Sequence, residues 1–475
     1  MAIVDCAPGI PDEVAALPVP RVPTFDPTLG IAVHVDRSGQ PVHPLVAVGD
    51  SLTQGFQSGA IHNTHLSYPA LIARELGIYD RFQHPSYDRF GGLPVNIEYL
   101  LHDLEARFGT EISPWALPLA GWRLRDLMDE IEDYWEHDEQ QPDRFSSRNH
   151  NLGIYGWDVY DANARCAADC RADIAAPTDA LLKQVVQNAN ERAALRVLAS
   201  GPAGQEDLSP LETAVALGAD GTPDTPGIET LIVMLGANNA LGTVTELRAC
   251  WSARSSYDDP VAKRRYTIWD PAHFRAELGR AVDTTRRVRA RHVIWSTIPH
   301  VTIAPVARGI GGKVAPGSRY FRFYARPWVT DAAFHPGHDR HLTAAEARAI
   351  DTAVDLYNAA IEGVVRCARE DGLDWYLLDL CAQMDRLATR RYGDIDEELR
   401  PPWWTPCALP QALLDLSPVP DSRFLSVDPH RGRKAGGLFS LDGIHPTTVM
   451  YGLMAQEFIG VMQLAGVCFP GAGPA

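Results

Sequence analysis

The chain has 475 residues, 45% hydrophobic and 22% charged, ordinary for a globular protein and enough for one large domain or two to three smaller ones. Its 60 acidic and 43 basic side chains give a formal net charge of −17 at pH 7. That balance argues against a nucleic acid or an anionic membrane surface as the main partner, because either needs a basic face.

The first forty or so residues carry Pro18, Pro20, Pro23 and Pro27 with no apolar period, which predicts an extended arm over 1–40. The opening Met1–Pro8 lacks a basic region followed by an apolar core, so no secretory signal is expected. No run reaches the roughly 18 apolar residues that a membrane span requires. Cytoplasm is the default expectation, with secretion open if a leader has been trimmed.

Five short apolar runs bounded by turn residues then recur: Leu45–Val48, Leu152–Tyr155, Leu231–Leu235, His292–Thr297 and Trp375–Leu380. Their length suits buried strands. Between them lie helical patterns over Tyr68–Leu76, Leu181–Leu198, Phe274–Arg289 and Ala344–Glu370, the last opened by the capping-box spacing Thr343-Ala-Ala-Glu346. Val449–Phe469, interrupted by Gln456, Glu457 and Gln463, reads as a packed amphipathic closing helix. The Arg-rich stretch Arg280–Arg291 reads as one face of a solvated helix. Strands alternating with helices predict an α/β fold in which a parallel sheet of about five strands is covered on both faces. One domain over 41–470 is expected, with inserted loops at about 101–149, 200–228, 303–342 and 394–437.

Open α/β sheets place their sites at the carboxyl ends of strands. Ser51, Gly156 and Asn238 each fall just after a predicted strand, so their convergence is a geometric expectation. Ser51 is the candidate nucleophile; a hydroxyl needs a base to act at neutral pH, and the alternative is a simple helix cap. His445 is the candidate base, with Asp442 three residues before it as the orienting carboxylate. Pro446 suits the first position of a helix, which would set His445 at the helix mouth. The positive helix end would lower the imidazole pKa and Asp442 would raise it, leaving a base near the operating pH. On this reading the amides of Ser51 and Gly156 and the side chain of Asn238 supply donors for an oxyanion.

Pro44-Leu-Val-Ala-Val-Gly-Asp-Ser-Leu-Thr-Gln-Gly55, Asn151-Leu-Gly-Ile-Tyr-Gly156, Leu235-Gly-Ala-Asn-Asn239 and Asp442-Gly-Ile-His445-Pro446 together resemble, in order, the four sequence blocks of the SGNH (GDSL-type) esterases and lipases. Thr297-Ile-Pro-His-Val-Thr302 is also family-like. The resemblance covers about Leu45 to Leu464 and leaves out the arm and the inserts. It implies a three-layer αβα, flavodoxin-like sandwich and a serine ester hydrolase that needs no cofactor. In it Ser51, Gly156, Asn238 and His445 match the four letters of the family name. Asn239 stands where the family often has Asp, a departure that bears on local hydrogen bonding there. Lipid, acylated-sugar and small-ester substrates fit equally; acyl transfer at the same site, or a silent glycan- or protein-binding module, are the alternatives.

Other motifs carry less. No Gly-x-Ser-x-Gly elbow occurs, and Gly309, Gly311 and Gly312 follow no Walker or dinucleotide spacing. His335, His338 and His341, with Asp339, recur at a spacing that raises a metal, but they sit in a Pro/Gly loop and read as solvated, so no metal is assigned. Trp403 and Trp404 fit either a substrate wall or an aromatic loop anchor. The eight cysteines contain no Cys-x-x-Cys pair; Cys166 and Cys170 read as thiols on one helix face, and disulfides stay open.

Overall fold

The computed structural model describes residues 9–16, 20–87, 91–138, 148–175, 185–198, 206–428, 430 and 432–470. Its centre is a five-stranded parallel sheet of β1 (His43–Gly49), β2 (Asn151–Gly153), β3 (Ile228–Met234), β4 (Ala290–Ser296) and β5 (Trp375–Leu378). The spatial order is β5-β4-β3-β1-β2. All five strands lie where short apolar runs occur in the sequence.

Alternation along each strand sends side chains to opposite faces, and both faces are buried. Val46, Val48, Leu231, Val233, Val293 and Trp295 point into one core with helices Pro271–Thr285 and Ala344–Glu370. Leu45, Ala47, Ile232, Met234 and Ile294 point into the other, with Tyr68–Glu75, Leu380–Leu387 and Thr448–Leu464. Helices therefore flank the sheet on both sides. The long helix Ala344–Glu370 begins at the capping box expected there, with Thr343 Oγ1 accepting from Glu346 N at 3.2 Å. Gln456, Glu457 and Gln463 are exposed on the closing helix, as are Val449, Gly460 and Leu464.

Several expectations are corrected. The helix expected from Leu181 begins at Ala189, because Asn188 adopts φ +52°, which a helix interior cannot hold; residues 181–184 of that expectation lie outside the described residues. The stretch 200–228 is more than a loop. Helix Pro210–Gly218, capped by Ser209 and Glu212, buries Leu211, Ala214 and Leu217 in the core. Arg280–Arg291 is no helix face, since the helix ends at Thr285 and Arg291 belongs to β4, where it pairs with Glu229 at 2.6 Å. Inserts 303–342 and 394–437 carry small antiparallel pairings, Arg308–Lys313 with Phe321–Ala325 and Ser426–Asp428 with Gly432–Ala435. The insert 101–149 contributes helices Ile97–Phe108 and Leu117–Asp133, and its residues 139–147 lie outside the described residues.

The arm is largely extended from 20 to 42, with one helical turn at Asp12–Ala16. It closes the sheet edge: Leu377 N donates to Pro27 O at 2.9 Å, while Asp379 accepts from Thr24 N at 2.8 Å and pairs with Arg21 at 2.8 Å. Covering an edge strand removes a template for unwanted pairing.

Beside β4 and β5 lies a buried charge network. His300, Arg319 and Arg391 face Asp351, Asp355 and Asp385, all under 10% exposed. His300 contacts Asp385 at 2.9 Å and Asp355 at 3.1 Å, and Arg391 reaches Asp351 at 2.6 Å. Burial alone would raise the Asp351 carboxyl, but Arg391, His300 and Arg319 hold it at about 2. Removing one partner strands a buried charge. Arg391→Met is thus expected to destabilise the fold by about 3–5 kcal/mol in denaturant unfolding. A loss below about 1 kcal/mol would show that the network redistributes its charge.

Candidate active site

β1 runs through Gly49 and Asp50 into the single helical turn Ser51–Gln54, closed by Gly55 at φ +92°. A Cβ at Gly49 would meet Thr53 and, at 2.8 Å, the carbonyl of Met234, so only glycine lets the chain turn this tightly beside β3. Gly49 pairs with Gly153 on one side and Met234 on the other. That register brings the segments after β1, β2 and β3 out at one sheet edge.

Ser51 is 4% exposed, and its Oγ lies 3.1 Å from His445 Nε2. His445 Nδ1 lies 2.9 Å from Asp442 Oδ2. The three residues form one hydrogen-bonded chain linking the first strand end to the loop before the last helix. Asp442 is held by many donors. Its Oδ1 accepts from the amides of Ile444 at 2.8 Å and His445 at 2.9 Å, and from Ser440 Oγ at 3.2 Å; its Oδ2 accepts from Gly59 N at 3.0 Å. Burial works to raise this carboxyl, but the His445 charge, the imidazole hydrogen bond and the amides of His445 and Ile444 outweigh it and hold it well below the ordinary carboxylate range. Asp442 is therefore an anion aimed at His445 Nδ1.

The closing helix starts at Thr448, with Thr447 as its cap, three residues beyond His445. Pro446 is therefore not its first residue, contrary to the expectation from the sequence. Instead Ser440 N donates to His445 O at 2.8 Å and Phe439 bridges to Pro446, which folds Asp442 back onto His445 before the helix begins. The Phe56 ring packs against the imidazole at a tilt of 46°, with centroids 4.4 Å apart.

Asp50, beside Ser51, is 1% exposed, and burial pushes its carboxyl up to about 6 against the pull of the Leu52 amide, the His445 charge and the amides of Asp50 and Ala237. Its Oδ1 accepts from Leu52 N at 3.0 Å, and Ala237 belongs to the loop after β3. That loop passes Gly236 at φ +121°, where a Cβ would meet Phe274 at 2.9 Å, and enters the helix Asn238–Glu246. Asn238 is half-buried, and its Nδ2 donates to Trp157 O at 2.8 Å, leaving a second N–H of the same amide. Gly156 precedes Trp157 at φ +75°. Asn239 is buried, and its Oδ1 accepts from Val159 N at 3.3 Å, so it ties the β3 loop to the β2 loop.

Ser51, Asp442 and His445 are thus in contact, and Gly156 and Asn238 are joined to each other through Trp157. Ser51, Ala237 and His445 line an apolar pocket, and Gly156 and Asn238 line the neighbouring polar cleft. The boundary between the two runs between Ala237 and Asn238. Sequence reasoning missed Asp50, Phe56 and Ser440. Asp50 is signalled by its place between strand and serine, whereas the others are brought in by tertiary packing alone.

Among the described residues, no group of three or more His, Cys, Asp or Glu side chains is placed to hold a metal ion. His335 and His338 are exposed, and their loop is bound by its own contacts, Asp339 accepting from His335 N at 2.7 Å. Trp404 is buried, and its indole donates to Asp385 O at 3.2 Å, so it anchors a loop. Cys166 and Cys170 are free thiols, and Cys250 is disulfide-bonded. No described helix is long and apolar enough to cross a membrane.

No protein-family model matches this chain, and no curated protein matches it.

Proposed function

We propose that the protein is a serine ester hydrolase of the SGNH type, cleaving carboxylic esters through an acyl-enzyme on Ser51. The observation that carries this reading is the unbroken chain from Ser51 Oγ through His445 to Asp442, at 3.1 and 2.9 Å. The four motifs in family order support it, as does a strand order equivalent to 2-1-3-4-5.

On this reading Ser51 Oγ bonds to the ester carbonyl carbon while its proton passes to His445 Nε2. Asp442 holds the imidazole with Nδ1 protonated and stabilises the cation that forms. The carbonyl oxygen, now an anion, takes hydrogen bonds from the amides of Ser51 and Gly156 and from Asn238 Nδ2. The carbon–oxygen bond to the alcohol then breaks, and the alcohol leaves with the proton from His445. Water repeats the sequence: its proton goes to His445, its oxygen to the acyl carbon, and collapse returns the proton to Ser51 and releases the acid. Every proton is accounted for by His445, and the residues in place supply each step.

The test is turnover of p-nitrophenyl acetate by the wild type and by Ser51→Ala. The wild type is expected to turn over, and the variant to retain well under 1% of kcat, about the background of the oxyanion donors alone. A variant keeping a tenth of wild-type kcat would sink the reading.

The two asparagines divide the labour. Asn238→Ala should lower kcat by about two to three orders of magnitude with little change in KM, since its donor acts on transition-state charge. Asn239→Ala should cost less in kcat and show mainly as lost thermal stability, because its contact is with Val159 N. A larger kcat loss for Asn239→Ala in folded protein would reverse the assignment.

A further inference from the structure

The two neighbouring cavities, the apolar one lined by Ser51 and the polar one by Gly156 and Asn238, differ in both size and chemistry. The apolar one has a volume of about 50 Å³ and is walled by Leu52, Leu241, Ile303, Met384 and Phe439. By the room one water needs, that admits on the order of three to four heavy atoms. The polar cleft on the Gly156 and Asn238 side is about 530 Å³. An ester with its carbonyl carbon at Ser51 and its carbonyl oxygen toward Gly156 and Asn238 has the apolar pocket on one side and the polar cleft on the other.

The wall of the polar cleft is charged, and its cations are paired. Lys263 reaches Asp158 at 2.8 Å and Asp161 at 2.6 Å, and Arg264 and Arg165 lie 3.2 and 3.7 Å from Glu191. Asp173 also reaches Arg165 at 2.6 Å and Arg264 at 3.5 Å, so every cation of the wall is paired and none is left for an anionic alcohol. Trp157 and Tyr266 also line the cleft, Trp157 donating to Asn190 at 2.8 Å and Tyr266 bonded to Ser256 at 2.6 Å. The lining thus offers both donors and acceptors, and an apolar alcohol would cover them without pairing them. A neutral alcohol with several hydroxyls both donates and accepts, and its C–H faces pack on the rings.

We infer that, if Ser51 is the ester nucleophile as proposed above, the substrate joins a short acyl group, of about two to four carbons, to a neutral polyhydroxy alcohol of sugar type. The acyl chain occupies the pocket beside Leu241 and Ile303, and the polyol occupies the cleft between Trp157 and Lys263. A long acyl chain outgrows the acyl pocket, and an anionic headgroup finds every cation of the wall already paired.

Two measurements on the full chain test this. In the first, kcat/KM is compared for 6-O-acetylglucose and n-hexyl acetate, which share acyl group and leaving-group class, and for p-nitrophenyl acetate against octanoate. The sugar ester is expected to exceed hexyl acetate by at least about tenfold, and the acetate to exceed the octanoate by at least about tenfold. Tyr266→Ala should shrink the sugar-to-hexyl ratio several-fold. Equal or inverted rates for either pair would overturn the inference while leaving ester hydrolysis standing. In the second, the same two acetates are titrated calorimetrically into the Ser51→Ala protein, which reads the cleft without turnover. Binding of 6-O-acetylglucose and not of hexyl acetate supports the inference even if the wild type proves inactive on esters, in which case only the hydrolase reading fails. Binding of neither, or of hexyl acetate alone, contradicts it.

Discussion

His445→Ala is expected to lower kcat for ester hydrolysis by about six orders of magnitude, and combining it with Ser51→Ala is expected to cost almost nothing more. The reason is that the two atoms act as one unit. Ser51 Oγ sits 3.1 Å from His445 Nε2, and the described structure gives the hydroxyl no other hydrogen-bond partner. A serine without its base stays protonated and weakly nucleophilic, so the second substitution removes nothing that still works. What survives is the rate that the oxyanion donors and substrate binding give by themselves. Kinetics of the two single variants and the double, each checked for folding by circular dichroism, read this directly. Additive losses would mean that the two residues act separately.

Asp442→Asn is the second large effect, with kcat expected to fall by about four orders of magnitude. The substitution keeps shape but not charge. Asp442 now accepts five hydrogen bonds, from His445 Nδ1, the amides of Ile444, His445 and Gly59, and Ser440 Oγ. Asparagine has one acceptor oxygen, so either the loop or the imidazole loses its partner, and an amide N–H facing Nδ1 favours the wrong tautomer. Stability carries a matching pH signature. The folded carboxyl is held below its ordinary range, so the unfolded chain binds the proton more readily. The carboxyl's contribution is then fully present above about pH 4 and is lost as pH falls through the folded value. Wild type should be the more stable protein at pH 7, with the gap to Asp442→Asn narrowing as pH falls below about 4. A gap that widens in acid would mean that the carboxylate is not held ionised by His445.

Much of the frame is legible because its signals are local. Short runs such as Leu45–Val48 and Leu231–Leu235 are too apolar to be surface and too short to be buried helices, and their turn residues fix where they stop. The capping box at Thr343 and Glu346 is read from spacing alone. The convergence of the segments holding Ser51, Gly156 and Asn238 follows from parallel strands ending at one edge, and the Asp442–His445 contact from a three-residue offset. What escapes is set by tertiary contacts or by one residue's backbone. Nothing in Leu181–Leu198 announces that Asn188 will take a left-handed conformation and delay the helix. The arginines from Arg280 to Arg291 share a composition but straddle a helix, a turn and a strand. The bridge of Phe439 to Pro446 displaces the last helix from Pro446 to Thr448. The charge network around His300 is assembled from residues between 300 and 391 with no period to betray it, and the paired charges of the polar cleft likewise join the segment after β2 to Lys263 and Arg264.

The most direct test of the central claim is covalent labelling. Folded wild-type protein treated with a fluorophosphonate should take up one equivalent, and peptide mapping should place the adduct on Ser51. His445→Ala should slow the labelling by orders of magnitude while leaving the protein folded. Phosphorus is attacked by the same activated oxygen as an ester carbonyl, so the result does not depend on guessing the substrate. An adduct on another residue, or none on folded protein, would contradict the account of Ser51 as a nucleophile activated by His445.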